Sequence, residues 1–256
     1  MPRITCLVII TTITHFCVSK DLPSTFQRCQ REESDFDSCL MEAINGAIPQ
    51  LTNGMSEFGI LPIDPLLVNS LTIEQGTSSP INLKQDFKNV KLKRLSQSKV
   101  TSIKTDLKKF SIKAEAITPY MEFIGDYVMT GRVLLLPVTG KGFSNITLQG
   151  LTTKHELIGE PVKKKDQTYM RIKKYIVKFE DPKLVTVKFE NLFNGDKALG
   201  DAMNKVMNDN WLLMFNELRG AYEDTFGYIF RDISNKIFLK VPMNKIFLEN
   251  YLNVFY

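Results

Sequence analysis

Between residues 66 and 192 apolar side chains recur at every second position. Leu71 and Ile73 begin the pattern, followed by Ile81, Leu83 and Phe87 and by Phe110, Ile112, Ala114 and Ala116. Tyr127, Met129, Gly131, Val133 and Leu135 continue it, then Tyr175, Val177 and Phe179, and last Val185, Val187 and Phe189. A period of two predicts half-buried antiparallel strands. Turn signals separate the runs at residues 76–80, Thr118-Pro119, Gly140-Lys141-Gly142, Gly159-Glu160-Pro161 and Asp181-Pro182. Val90 and Leu92 fall out of phase with Phe87, which predicts a bulge and a bend.

From Leu199 the period changes to three or four. Leu199, Met203, Val206, Met207, Trp211, Met214, Phe215, Leu218, Tyr222, Phe226, Ile229, Phe230, Ile233 and Ile237 form one stripe, and Pro242 ends it. Asp201, Asn208, Glu217, Glu223, Arg231 and Asn235 fall elsewhere. At 1.5 Å per residue a helix over 197–238 spans roughly 60 Å, too long for a ball of this size to cover. The fold expected is therefore α+β: an elongated single domain in which a strongly curved antiparallel sheet wraps lengthwise around one long C-terminal helix. Gly220 and Gly227 mark places where the helix could bend, or break and shorten. Residues 21–58 read as helical in two pieces, the second carrying Leu40, Ala43, Ile44, Ala47 and Ile48 before Pro49 and Gly54 interrupt it.

The first 19 residues belong to a different category. Arg3, an uncharged apolar and hydroxyl-rich run over 4–18 and the end Cys17-Val18-Ser19 read as a secretory signal peptide. Its removal takes one positive charge, so the formal +5 becomes 32 − 28 = +4 for an exported chain. Cys6 and Cys17 leave with it. The remaining Cys29 and Cys39, on an oxidising route, read as one disulfide, with two free thiols as the alternative. Asn145-Ile146-Thr147 is an N-glycosylation sequon, which makes Asn145 a candidate glycan site.

Enzymatic chemistry finds little support. His155 is the one histidine left after export, and His155-Glu156-Leu157-Ile158-Gly159 lacks the second histidine of a zinc-protease helix. Gly142-Phe143-Ser144-Asn145-Ile146 lacks the closing glycine of a nucleophile elbow. Gly140-Lys141-Gly142 has neither a third glycine nor a βαβ setting, so no metal and no dinucleotide or other cofactor is expected. Lysines cluster over 84–113 and at 163–165; the plain reading is a solvated sheet face, the functional one a transient contact with an anionic membrane surface. A net +4 argues against nucleic acid.

A set of short stretches, taken in order, carries a family likeness. They are Leu22-Pro23; Cys29 with Cys39-Leu40; Gly59-Ile60 and Asp64-Pro65-Leu66; Phe87-Lys88-Asn89-Val90; and Gly125-Asp126-Tyr127 with Gly131. Leu136-Pro137-Val138-Thr139-Gly140-Lys141-Gly142, Asn191-Leu192-Phe193-Asn194-Gly195-Asp196 and Val241-Pro242 complete it. In this order and spacing the chain resembles the insect takeout and juvenile-hormone-binding proteins, a branch of the tubular lipid-binding superfamily, over residues 20–242. The resemblance implies the Cys29–Cys39 pairing and a secreted, monomeric, non-enzymatic carrier, with a tunnel between helix and sheet for a terpenoid or fatty acyl ligand. It also implies a link to circadian or feeding physiology. The sequence departs from the family's pattern at Arg94-Leu95, where a glycine is usual, and in a C-terminal extension over 243–256.

If the tunnel is present, its walls are expected to be Met203, Met207, Trp211, Met214, Phe215, Leu218 and Phe226 on the helix, facing Tyr127, Met129, Val133, Leu135, Val177 and Phe189 on the sheet. The methionines suit a cavity that accepts varied apolar guests, and equally an irregular solid core. The alternative function is an exported signalling or membrane-surface protein whose core is filled by its own side chains.

Overall fold

The computed structural model describes residues 19–74 and 80–249. A short strand β1 (Cys29–Gln30) and helix α1 (Phe36–Gln50) precede seven antiparallel strands: β2 (Leu66–Glu74), β3 (Ile81–Lys93), β4 (Lys99–Asp106), β5 (Ser111–Val133), β6 (Leu136–Lys164), β7 (Gln167–Phe179) and β8 (Leu184–Phe189). Helices α2 (Lys197–Asp209) and α3 (Trp211–Phe238) follow, then α4 (Met243–Ile246) and strand β9 (Phe247–Leu248). The signal peptide falls outside the described residues, apart from Ser19, as do most of the β2–β3 connection and the end of the C-terminal extension.

β5 and β6 are 23 and 29 residues long, and β5 pairs along its whole length with residues 136–158 of β6. Ordinary strands have five or six residues. The outer edge of β5 is shared: β4 pairs with residues 111–117 and β3 with 122–133, and β2 lies beyond β3. The outer edge of β6 is shared in the same way, by β8 over 144–149 and β7 over 153–164. The strands are longer than the Gly and Pro signals suggest because three of those signals lie inside strands. Thr118-Pro119 falls in β5 between the segments that pair with β4 and with β3. Gly140 and Gly142 are places where another segment crosses close by: a Cβ on Gly142 would lie 2.4 Å from the Glu190 carbonyl oxygen. Gly159 sits at a register shift against β7. The bulge read from Val90 and Leu92 lies between Lys88 and Lys91, with Asn89 at φ 53°. β4, whose apolar positions do not alternate cleanly, was not legible as a strand.

The C-terminal helix is long, as the stripe requires, and is interrupted at Asn210 rather than at a glycine. Asn210 leaves helical geometry (φ −113°, ψ 25°), yet Asn210 N–H still donates to Val206 O and Met214 N–H to Asn210 O, both at 3.1 Å. α2 starts cleanly because Asp196 caps it, accepting from Leu199 N–H at 3.0 Å. Gly220 has nothing within 4 Å of a virtual Cβ. Gly227 serves close approach instead, since a Cβ there would stand 2.6 Å from the Tyr175 carbonyl oxygen of β7. Gly227→Ala is expected to push α3 off β7 and destabilise the fold by about 1–3 kcal/mol, measurable by urea unfolding.

Asparagines fasten the helices to the edges of the sheet. Asn208 accepts from Val187 N–H and donates to Val187 O, both at 2.8 Å, and Asn204 does the same to Phe189. Asn235 binds Ile172 in this way from α3, and Asn45 binds Val100 from α1. Each side-chain amide takes the place of one residue of a neighbouring strand, so edge N–H and C=O groups under a helix are not left unpaired. Glu223, almost fully buried, accepts from Phe179 N–H at 2.8 Å and pairs with Lys178 at 2.6 Å.

At the N-terminal end the chain differs from the sequence expectation. Residues 21–28 form turns rather than a helix, and α1 runs on through Pro49 in its last turn. Cys29 and Cys39 are joined by a disulfide. The described part of the C-terminal extension packs here: β9 pairs in parallel with β1, and Phe247 is buried against Phe36 and Phe238 at ring distances of 5.9 and 6.3 Å. Arg94, in the pair where the resemblance led us to expect a glycine, adopts the left-handed conformation itself (φ 71°). Asp64 accepts its N–H at 2.8 Å and its guanidinium lies 4.8 Å from the Tyr120 ring centroid, contacts that offset the strain of a side chain at positive φ.

Candidate functional site

Between α1, α3 and the concave face of the sheet lies a cavity of about 430 Å³. Small-molecule pockets commonly enclose about 300–1,000 Å³. Leu40, Ile44 and Ile48 of α1, Val100 and Ile103 of β4, and Ile233 and Ile237 of α3 form much of its wall. The space exists because small side chains face it from opposite sides: Ala43 and Ala47 on α1, Ala114 and Ala116 on β5. Leucines at those positions would close the gap between layers. Among the described residues, no Lys, Arg, Asp or Glu lines it.

A second cavity of about 80 Å³ lies beside it, toward α2. Met121, Phe179 and Phe226 line both and so form the partition between them. A series of aromatic rings runs through that partition. Tyr175 is 5.8 Å from Phe230, Phe230 is 5.9 Å from Phe226, Phe226 is 6.2 Å from Phe179 and Phe179 is 6.5 Å from Phe215.

The structure distributes the sequence-predicted wall residues unevenly. Phe226 faces both cavities; Met207, Trp211, Met214, Phe215, Leu218 and Phe189 line the smaller one. Met203, Tyr127, Met129, Val133 and Val177 are buried in the packed core and line neither. Tyr127 spends its hydroxyl on Glu190 O at 2.7 Å, and burial raises its pKa to about 12. Leu135 stands at the β5–β6 turn, 88% exposed, because the period of two ends where the hairpin reverses; it is not a wall residue. The main wall was missed: α1 supplies a full side of it, and its period of three to four was legible without any indication of what it covers. The ends of β5 and β6 nearest β4 supply the opposite side.

One polar cluster interrupts the apolar wall of the larger cavity. His155 Nε2 lies 2.7 Å from Thr153 Oγ1, and His155 Nδ1 lies 3.1 Å from the Tyr175 hydroxyl. Thr153 Oγ1 also lies 3.4 Å from Ala116 O, a group that can only accept. Burial with no counter-charge pushes the His155 pKa down to about 4 and raises that of Tyr175. The unfolded chain, with His155 near 6.5, binds a proton that the folded chain refuses, so this stabilisation is full above pH 6.5 and is lost as pH falls toward 4. His155→Gln is expected to lose less stability than the unchanged protein between neutral pH and pH 4, by up to about 3 kcal/mol, as read from urea unfolding at the two pH values.

The chain matches the haemolymph juvenile hormone binding protein (JHBP) family over residues 5–248. It belongs to that family. Similarity to individual JHBP relatives spans nearly the whole chain. The circadian clock-controlled protein daywake of Drosophila melanogaster is 26% identical over 238 residues, 90% of this chain and 89% of the relative. Daywake of Drosophila yakuba is 27% identical over the same shares. The crystal structure of Epiphyas postvittana Takeout 1 superposes with a TM-score of 0.76 at 27% identity, covering 87% of this chain and 99% of that one. The curved sheet around a long C-terminal helix is thus the JHBP fold.

Proposed function

We propose that this member of the JHBP family is a secreted carrier that buries one small hydrophobic ligand, terpenoid or fatty acyl in character, in the cavity between α1, α3 and the sheet. The observation that carries the reading is an apolar cavity of about 430 Å³ with no Lys, Arg, Asp or Glu in its wall among the described residues. Burial of each methylene contributes roughly 0.8 kcal/mol, so a ligand of ten or more carbons needs few polar contacts. The family's description favours a hormone-like ligand and the clock-controlled relatives a circadian role, with feeding physiology a further expectation from the resemblance alone. Export as a monomer is part of the same reading, and the lysine-rich turn at 163–165 provides for transient contact with an anionic membrane during loading.

Turnover is not part of the proposal. His155 is held neutral by a pKa of about 4, which makes it a weak base, and its Nδ1 partner is a phenol rather than a carboxylate that could steady an imidazolium. Protein secreted from insect cells is expected to release a stoichiometric apolar compound into organic solvent, seen by mass spectrometry. Stripped protein is expected to take up a fluorescent fatty acyl probe. Absence of both would refute the carrier.

Asn145 belongs to the proposal as a glycan acceptor. It lies in β6 between Ile124 of β5 and Lys188 of β8, and alternation turns it to the face opposite Ile146, which lines the smaller cavity. Its Oδ1 is buried without a hydrogen-bond partner. Asn145→Gln is expected to remove one glycan's worth of mass from the secreted protein, read on a gel beside enzymatically deglycosylated material.

A further inference from the structure

Phe226 stands where the two cavities meet, and contacts on either side of it fix its place. Three residues before it on α3, Glu223 accepts from Phe179 N–H of β7 at 2.8 Å. One residue after it, Gly227 lies so close to β7 that a Cβ there would stand 2.6 Å from the Tyr175 carbonyl oxygen. These two contacts hold α3 and β7 at one separation across the partition. Within it the Phe226 ring lies 5.9 Å from the ring of Phe230 and 6.2 Å from that of Phe179, and the residue is 5% exposed. Met121, also buried, approaches from β5 and lines both spaces. A close-packed set of this kind opens only if a side chain leaves its rotamer or the layers part.

The spaces on the two sides are unequal in what they can hold. An apolar cavity of about 150 Å³ accepts one benzene, about six carbons. On that scale the larger cavity, about 430 Å³, has room for about 17 carbons, and the smaller, about 80 Å³, for about three.

We propose that Phe226 is the length-determining residue of the binding site: with Phe179 and Met121 it ends the ligand's space at the partition, so that the protein takes apolar ligands of up to about 17 carbons and longer chains gain nothing from their further carbons. The inference rests on the carrier reading and narrows its ligand class by size. Carbons that find no room must fold back or stay in water, where they add no burial. Removal of the Phe226 ring joins the two spaces and vacates the ring's own six carbons, which extends the limit by about nine carbons on the same scale.

The test uses methyl esters of saturated fatty acids, from methyl decanoate to methyl tetracosanoate, as competitors of a neutral fluorescent probe, N-phenylnaphthylamine, on the full secreted protein at neutral pH. It reads the length at which affinity stops rising. On the unmodified protein each added carbon is expected to tighten binding about 4-fold until the ester has about 17 carbons, and not beyond. Phe226→Ala is expected to bind methyl tetracosanoate at least about 100-fold more tightly than the unmodified protein does, the worth of about four further methylenes, and methyl decanoate no more tightly. Loss of stability alone weakens every ester and cannot move the limit. Val185→Phe, which fills the smaller cavity from β8, is expected to leave every ester unchanged. If affinity for the unmodified protein keeps rising past about 20 carbons, if Phe226→Ala leaves the limit where it was, or if Val185→Phe weakens the long esters, the partition does not set the length, while the carrier stands. If neither the probe nor any ester binds the unmodified protein, the carrier reading itself is refuted. Should Phe226→Ala fail to fold, Phe226→Val is judged by the same criterion, and the limit on the unmodified protein and the Val185→Phe result still decide.

Discussion

Ala114→Trp is expected to reduce uptake of an apolar probe by at least about 100-fold, some 2.7 kcal/mol, while leaving the melting temperature unchanged or raised. Ala114 faces the larger cavity from β5, opposite Ala43 and Ala47 of α1. In a packed core so large a side chain would force off-rotamer neighbours and destabilise the protein. Here it enters empty space and buries its own apolar surface. Binding and folding therefore respond in opposite directions, which no substitution in a solid core would produce. Ala114→Leu, filling less of the space, should fall between. A tryptophan variant that binds the probe as the unmodified protein does would show that the ligand lies elsewhere.

The second large effect concerns the fold. Asn208→Leu removes both hydrogen bonds to Val187 and leaves an N–H and a C=O of β8 unpaired beneath α2. Buried groups left in this state cost about 1–3 kcal/mol each, so the loss should be about 3 kcal/mol, equivalent to a fall of roughly 6–12 °C in Tm for a domain of this length. Asn208→Asp should recover less than half, because it keeps the acceptor for Val187 N–H but sets a carboxylate against Val187 O. Asn210→Leu is the control: its amide donates only to Val206 O within the helical segment. Thermal unfolding of the three variants separates clamp from helix, and an Asn208→Leu protein within about 1 kcal/mol of the unmodified one would refute the clamp.

Much of the architecture was legible because period and length are local properties. The stripe from Leu199 to Ile237 could be covered only by an elongated sheet, and the runs of period two could supply it. Where reading failed, one residue type had served two purposes. Gly140 and Gly142 resemble turn residues, yet they permit Leu192 and Glu190 to cross a strand that continues through them. Gly227 resembles a helix bend, yet it admits the Tyr175 carbonyl. Asn208 and Asn235 resemble a solvated helix face, yet they hold sheet edges. Nothing local distinguishes these uses, because the partner lies tens of residues away in sequence.

The cavity shows the same division. By itself the sequence determined an α+β chain with a long helical stripe of apolar residues, since periodicity suffices for it, and its two remaining cysteines pointed to the loop that Cys29 and Cys39 close. Only the tertiary structure decided that the larger space lies under α1, that Phe226 divides it from a smaller one, and that Thr153, His155 and Tyr175 meet in its wall. A void is a relation between faces contributed by separate elements, and four alanines acquire meaning only when α1 and β5 are set opposite one another.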